Sequence, residues 1–148
     1  MKLQGCRTLL TGAGSGIGRC LARGLAAQGA KLVLVGRNAA RLNAVASEIT
    51  EAGGNAVALP HDLNIPDGHA QLLQSTISRL GGVDLLINNA GVSGFGEFAR
   101  ENPVDIDNLI NTNITAPLLL TRAVLPVMLG AGSGRIVNIG SIMGSIGL

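Results

Sequence analysis

At 148 residues and 47% hydrophobic content the chain is one domain's worth of polypeptide, long enough to bury a real core. Its formal net charge of +2 comes from dispersed Lys and Arg, which excludes the basic stripe or patch of a nucleic-acid binder. The segment Met1 to Leu10 lacks the apolar region and cleavage site of a secretion signal. The apolar run 116–130 is broken by Pro117, Arg122 and Pro126 and is too short to span a bilayer, so a soluble cytoplasmic protein is expected.

Apolar β-branched runs alternate with segments of helical period, the signature of a parallel sheet covered by helices on both faces. Cys6 to Thr11 reads as the first strand. It runs into Thr11-Gly12-Ala13-Gly14-Ser15-Gly16-Ile17-Gly18, and a helix follows in which Ile17, Leu21 and Leu25 recur at one spacing and Gly29 marks the stop. Lys31 to Val35 is a buried-type strand. Residues 39–52 place Leu42, Val45 and Ile49 on one helical face before Gly53-Gly54. Ala56 to Leu59 is a short strand leading through Pro60 to His61-Asp62-Leu63. Ala70, Leu73, Ile77 and Leu80 mark a helix ended by Gly81-Gly82, and Val83 to Ile87 is a strand running into Asn88-Asn89-Ala90-Gly91. After a loop or short helix over 93–100, Asn102-Pro103 starts a long helix whose stripe is interrupted by the amide of Asn113. A turn at 130–134 precedes a last strand, Arg135 to Ile139, and Gly140-Ser141.

The unpatterned Cys6 and Cys20 read as reduced core residues, and His61 and His69, without ligand-like partners, as surface or turn residues, so no metal site is expected. No repeat, linker or charge block divides the chain, and residues 1–148 read as a single domain. Right-handed crossovers with the first strand central give a doubly wound sheet of order 3-2-1-4-5.

A strand that turns through glycines into a helix is the layout that binds a dinucleotide pyrophosphate. Backbone approaches the phosphates, and the helix N-terminus presents open N–H groups and a positive pole. The spacing here is T-G-x-x-x-G-x-G rather than G-x-G-x-x-G. With Asn88-Asn89-Ala90-Gly91 after the fourth strand, Asn113 in the long helix and Ser141 after the fifth strand, the whole chain resembles the N-terminal part of a classical short-chain dehydrogenase/reductase. The resemblance implies an α/β, three-layer Rossmann-type fold lacking the family's last strands, and a nicotinamide dinucleotide held by Gly12, Gly14, Ser15, Gly16, Ile17 and Gly18. Asp62 and Leu63 would meet the adenine, and Asn89, Ala90 and Gly91 would line the cofactor. Where NAD-binding members usually carry a carboxylate, Gly36 and Arg37 follow the second strand; a guanidinium there can hold a 2′-phosphate, which favours NADP(H) over NAD(H). Ser141 resembles the family's carbonyl-binding serine and Asn113 the asparagine that helps hold a proton-relay water. The implied activity is hydride transfer between NADP(H) and a small carbonyl or alcohol substrate.

The family's general acid is the tyrosine of a Tyr-x-x-x-Lys pair. This sequence contains no tyrosine. The expectation is therefore an N-terminal portion of a longer reductase that carries the cofactor half and is inactive alone; a non-catalytic dinucleotide-binding module, or an inert fragment, is the alternative. The long helix resembles the family's subunit interface, which implies a homo-oligomer, dimer or tetramer.

Overall fold

The computed structural model describes residues 2–65, 67–94 and 96–141. The loop expected after Ser141 lies outside them. The parallel sheet has the order β3-β2-β1-β4-β5. Its strands are β1 (Arg7–Thr11), β2 (Lys31–Gly36), β3 (Asn55–Pro60), β4 (Leu85–Asn88) and β5 (Arg135–Asn138). The helices are α1 (Gly16–Ala27), α2 (Ala39–Glu51), α3 (Gly68–Leu80), α4 (Pro103–Ile110) and α5 (Ala116–Gly130), with a π-helical turn at Asn111–Thr115 joining the last two.

Alternation along the strands divides the core. Leu10, Leu32, Leu34 and Ile87 point to one face, where Ala22 and Ala26 of α1 and Leu42, Val45 and Ile49 of α2 cover them. Leu9, Val33, Val35 and Leu86 point to the other, under Leu72 and Leu73 of α3 and Ala116, Leu120, Val124 and Met128 of α5. Burial on both faces is why these strands read as continuous apolar runs. The expected order and helix placement are as found. At the far end of the sheet from the glycine turn, Arg7 fastens β1 to the start of β4: its Nε and Nη2 reach Asp84 Oδ2 and Oδ1 at 2.8 and 2.5 Å, and its Nη1 reaches the Gly81 carbonyl at 2.9 Å.

The faces of two helices, α1 and α3, differ from the expectation. The core side of α1 is Gly18, Ala22 and Ala26, while Ile17 is 63% exposed and Leu21 and Leu25 are only partly buried. Small residues let this helix approach the sheet closely, and its larger apolar residues form a shoulder beside the core. Cys20 lies on that outer side and is exposed; only Cys6 is a core cysteine. On α3, Ala70 is exposed whereas His69 is 6% exposed, so His69 is an interior residue and not a surface one.

Asn102 caps α4 by accepting from Val104 N–H at 3.0 Å, with Pro103 in the first turn. Residues Pro103–Gly130 form one 28-residue helical run whose length and hydropathy equal those of a membrane span. The expectation that the apolar run is too short therefore rested on its C-terminal half alone. One side of this run packs on the sheet through Ala116, Leu120, Val124 and Met128, while Val104, Leu118 and Leu129 stand 65–70% exposed on the other.

Candidate functional site

The C-terminal ends of β1, β2, β3 and β4 open into a cleft of roughly 410 Å³, at the edge where open α/β sheets take ligands. Gly12, Gly14, Ser15, Gly16, Ile17 and Gly18 form one wall; Arg37 stands beyond β2, Asp62 and Leu63 beyond β3, and Asn89, Ala90 and Gly91 beyond β4. The structure thus brings the sequence-predicted cofactor residues to one concavity. Asn113 and Ser141 are not among its lining residues.

The glycines serve different ends. A Cβ on Gly12 would stand 2.8 Å from Ala90 Cα, and one on Gly18 would overlap the Gly12 carbonyl, so these two let the turn fold against its neighbours. Gly16 has φ +48° and open space around its Cα. No side chain caps α1 at Ser15, so its first-turn amides and positive pole remain available to an anion in the cleft.

Thr11 and Asn89 lock the wall. The buried Thr11 hydroxyl accepts from the backbone N–H groups of Asn89 and Ala90, both at 3.0 Å, and Asn89 Nδ2 donates to the carbonyls of Thr11 and Gly12 at 3.0 and 3.2 Å. The turn between β1 and α1 and the loop after β4 therefore move as one piece.

At the opposite end, Asp62 Oδ1 accepts from the Asn64 N–H at 3.0 Å. His61 shares that wall; burial lowers its imidazole below the ordinary 6.5, against a smaller upward effect of Asp62. Around β2, Arg37 is joined by Arg41, whose N–H donates to the capping Asn38 Oδ1 at 3.0 Å. Both arginines are among the lining residues of the cleft, and Asp62 is the one carboxylate among them.

Asn113 sits in the π turn, a distortion frequent at functional positions. Its side chain makes two hydrogen bonds to the backbone of Val92, just past Gly91. Ser141 follows β5. Since Asn88 pairs with Asn138, Gly91 and Ser141 stand equally far along the chain beyond that pair. Asn88 Nδ2 also donates to Asn138 Oδ1 at 2.8 Å, and the Asn88 carbonyl accepts from Ile139 N–H at 2.8 Å, so the approach to Ser141 is fastened to β4.

Asn38, Arg41, Asn64, Val92 and Thr112 also line the cleft without having been singled out in the sequence, and His61, read there as a surface or turn residue, lines it as well. Arg41 had a usable signal, one helical turn after Arg37, and Asn64 completes an Asp-x-Asn turn pattern. Thr112 had none, because its inward placement depends on the π turn.

The short chain dehydrogenase family model matches residues 7–148. The chain belongs to the short-chain dehydrogenase/reductase family. Among its relatives in that family, the ketoacyl reductase HetN of Nostoc sp. is 41% identical over 146 residues, covering 99% of this chain and 51% of that protein. The fatty acyl-CoA reductase Rv0547c of Mycobacterium tuberculosis is 41% identical, covering 93% and 47%. The chain thus spans about half the length of the curated relatives it matches. A metagenomic short-chain oxidoreductase solved in complex with NADP superposes with a TM-score of 0.94 at 40% identity, covering 100% of this chain and 67% of that one. A 7α-hydroxysteroid dehydrogenase complexed with NADH and 7-oxo glycochenodeoxycholic acid gives a TM-score of 0.94 at 34% identity, covering 99% and 57%. As in other short-chain dehydrogenases/reductases, the ligand expected in the cleft is a nicotinamide dinucleotide, and the glycine cradle with its open helix terminus suits one.

Proposed function

We propose that this chain is the cofactor-binding part of an oxidoreductase that transfers hydride between NADP(H) and a small carbonyl or alcohol substrate. The carrying observation is the pair Arg37 and Arg41 beside the cleft at the end of β2, where no carboxylate stands to repel a 2′-phosphate. Solved relatives hold NADP in one case and NADH in another, so fold likeness leaves the choice to these side chains.

In this reading the first-turn amides of α1 hold the pyrophosphate, Arg37 and Arg41 the 2′-phosphate, and Asp62 with the Leu63 backbone the adenine. Asn89 to Gly91 line the nicotinamide half. The bound dinucleotide supplies or takes the hydride. Ser141 donates a hydrogen bond to the substrate oxygen, where negative charge develops during reduction, and Asn113 steadies the water that relays the proton. No tyrosine is present to act as the family's general acid, so these 148 residues bind the cofactor without turning it over.

The exposed apolar face of α4 and α5 serves, in the same proposal, as a homo-oligomer contact rather than a bilayer or nucleic-acid surface. A reducing, cytoplasmic setting belongs to the same proposal, in keeping with two cysteines, Cys6 and Cys20, that form no spaced pattern in the sequence.

Fluorescence titration tests the cofactor assignment. NADPH should bind about tenfold or more tightly than NADH, the worth of a charge-assisted contact, and Arg37→Glu should abolish that ratio. Equal affinity for the two would remove the NADP(H) preference, and no binding of either would remove the whole reading.

A further inference from the structure

The loop after β3 and the helix carrying Asn113 are joined by side-chain amides. Asn64 lies in that loop, and its backbone N–H donates to Asp62 Oδ1 at 3.0 Å. Its side-chain Nδ2 donates to Asn108 Oδ1 of α4 at 2.8 Å and to Thr112 Oγ1 of the π turn at 3.0 Å. The Thr112 hydroxyl, in turn, lies 3.2 Å from Asn64 Oδ1 and 3.4 Å from Asn108 Oδ1 as acceptors. Thr112 is buried, and the next residue is Asn113 with its two bonds to Val92. One residue therefore orients the Asp62 carboxylate with its main chain and grips the turn that presents Asn113 with its side chain.

We propose that Asn64 is a positioning residue that couples occupancy of the Asp62 end of the cleft to the placement of Asn113, which holds Val92 at the cleft's other side. The inference rests on the reading that an adenosine moiety binds at Asp62. A ligand that fixes Asp62 also fixes the Asn64 backbone, and the side chain cannot leave its partners without stranding amide and hydroxyl groups in a half-buried site. The π turn is where the helix can yield, because its hydrogen-bond ladder is already out of α register there. Order at Asp62 is thus passed to Thr112 and so to Asn113 and Val92. A clasp that merely fastened the loop would raise stability and transmit nothing.

Amide hydrogen exchange on the whole chain separates these cases, since the Val92 N–H itself donates to Asn113. The probe is adenosine 2′,5′-bisphosphate, which carries no nicotinamide and cannot reach Asn113 directly. In the wild type it should slow exchange at residues 16–18 and also, about fivefold or more, at Val92 and residues 111–115. Asn64→Asp keeps the shape and the backbone turn but removes the amide donor. Slowing at 16–18 should persist in it, while slowing at Val92 and 111–115 is lost. Thr112→Val should behave likewise, and Thr112→Ser, which keeps the hydroxyl, should restore the wild-type response. Undiminished slowing at Val92 in either folded disrupting variant overturns the proposal, as does wild-type protection confined to residues 12–18 and 61–65. If the bisphosphate protects nothing in the wild type, the adenosine assignment has failed. The ligand-free comparison then decides the clasp alone: about fivefold faster Val92 exchange in Asn64→Asp supports it, and an unchanged rate overturns it.

Discussion

Asn113 and Val92 form a closed pair: the Val92 N–H donates to Asn113 Oδ1 at 2.9 Å, and Asn113 Nδ2 donates to the Val92 carbonyl at 2.8 Å. The side-chain amide satisfies the chain beyond β4 as a neighbouring strand would. Asn113→Asp keeps an acceptor for the N–H but turns a carboxylate oxygen toward the Val92 carbonyl, and should cost about 1–2 kcal/mol in chemical denaturation. Asn113→Ala leaves both backbone groups to water at this exposed position and should cost about 0.5–1 kcal/mol. If the alanine variant proves the less stable, the two-way pairing is not what holds Val92.

Gly18 and Gly24 lie on the same helix and should respond to alanine with opposite signs. A Cβ on Gly24 meets nothing within 4 Å, so Gly24→Ala should stabilise by about 0.5–1 kcal/mol through helix propensity. On Gly18 the added carbon would collide with the Gly12 carbonyl and stand 2.7 Å from Asn89 Nδ2. The same propensity gain is there overridden by overpacking, for a net loss of about 1–3 kcal/mol. Melting temperatures of the two variants check the sign.

Stability should decline as pH falls through the histidine range. Burial pushes both His61 and His69 below the ordinary 6.5; the neighbouring imidazole lowers His69 further, while Asp62 partly offsets the effect on His61 and a Leu63 backbone hydrogen bond that on His69. The unfolded chain therefore takes up these protons first, and the contribution present above pH 6.5 is lost as pH drops below it. A loss of about 1 kcal/mol between pH 7.5 and 5.5 is expected, and His69→Asn should flatten that slope. An unchanged slope in the variant would assign the dependence elsewhere.

A second acid transition belongs to Asp84. Its hydrogen bonds from the Arg7 side chain, chiefly, hold its carboxyl below the ordinary 3.8. The stabilisation is complete above that value and is lost as pH falls through the lowered one. Asp84→Asn should remove about 1–2 kcal/mol at pH 7 and make stability less pH-dependent below pH 4. Urea midpoints at pH 7 and pH 3 give the comparison.

The outer face of the long helical run should govern association. Leu118 is 65% exposed there, and Leu118→Glu should shift sedimentation from an oligomer to a monomer while leaving circular dichroism unchanged. A wild-type chain already monomeric at high concentration would remove the proposed contact.

Strand order, helix positions and the concentration of candidate residues at the strand ends were legible in the sequence. Each rests on local information: period, β-branched runs, glycine turns and the short crossovers between them. The cap at Asn102 and the turn at Gly12 to Gly18 are of that kind. What tertiary structure alone decided is which side of a helix meets the sheet and which side chains meet each other. Spacing marked Ile17, Leu21 and Leu25 as an apolar stripe, yet the core took Gly18, Ala22 and Ala26, because close approach of α1 to the sheet has room only for small residues. Spacing likewise could not foresee the π turn, which adds a residue to one turn of helix, buries Thr112 and sets Asn113 against Val92. The clasp from Asn64 to Asn108 and Thr112 spans more than forty residues of sequence, and no local period encodes a contact that only the folded sheet brings within hydrogen-bonding reach.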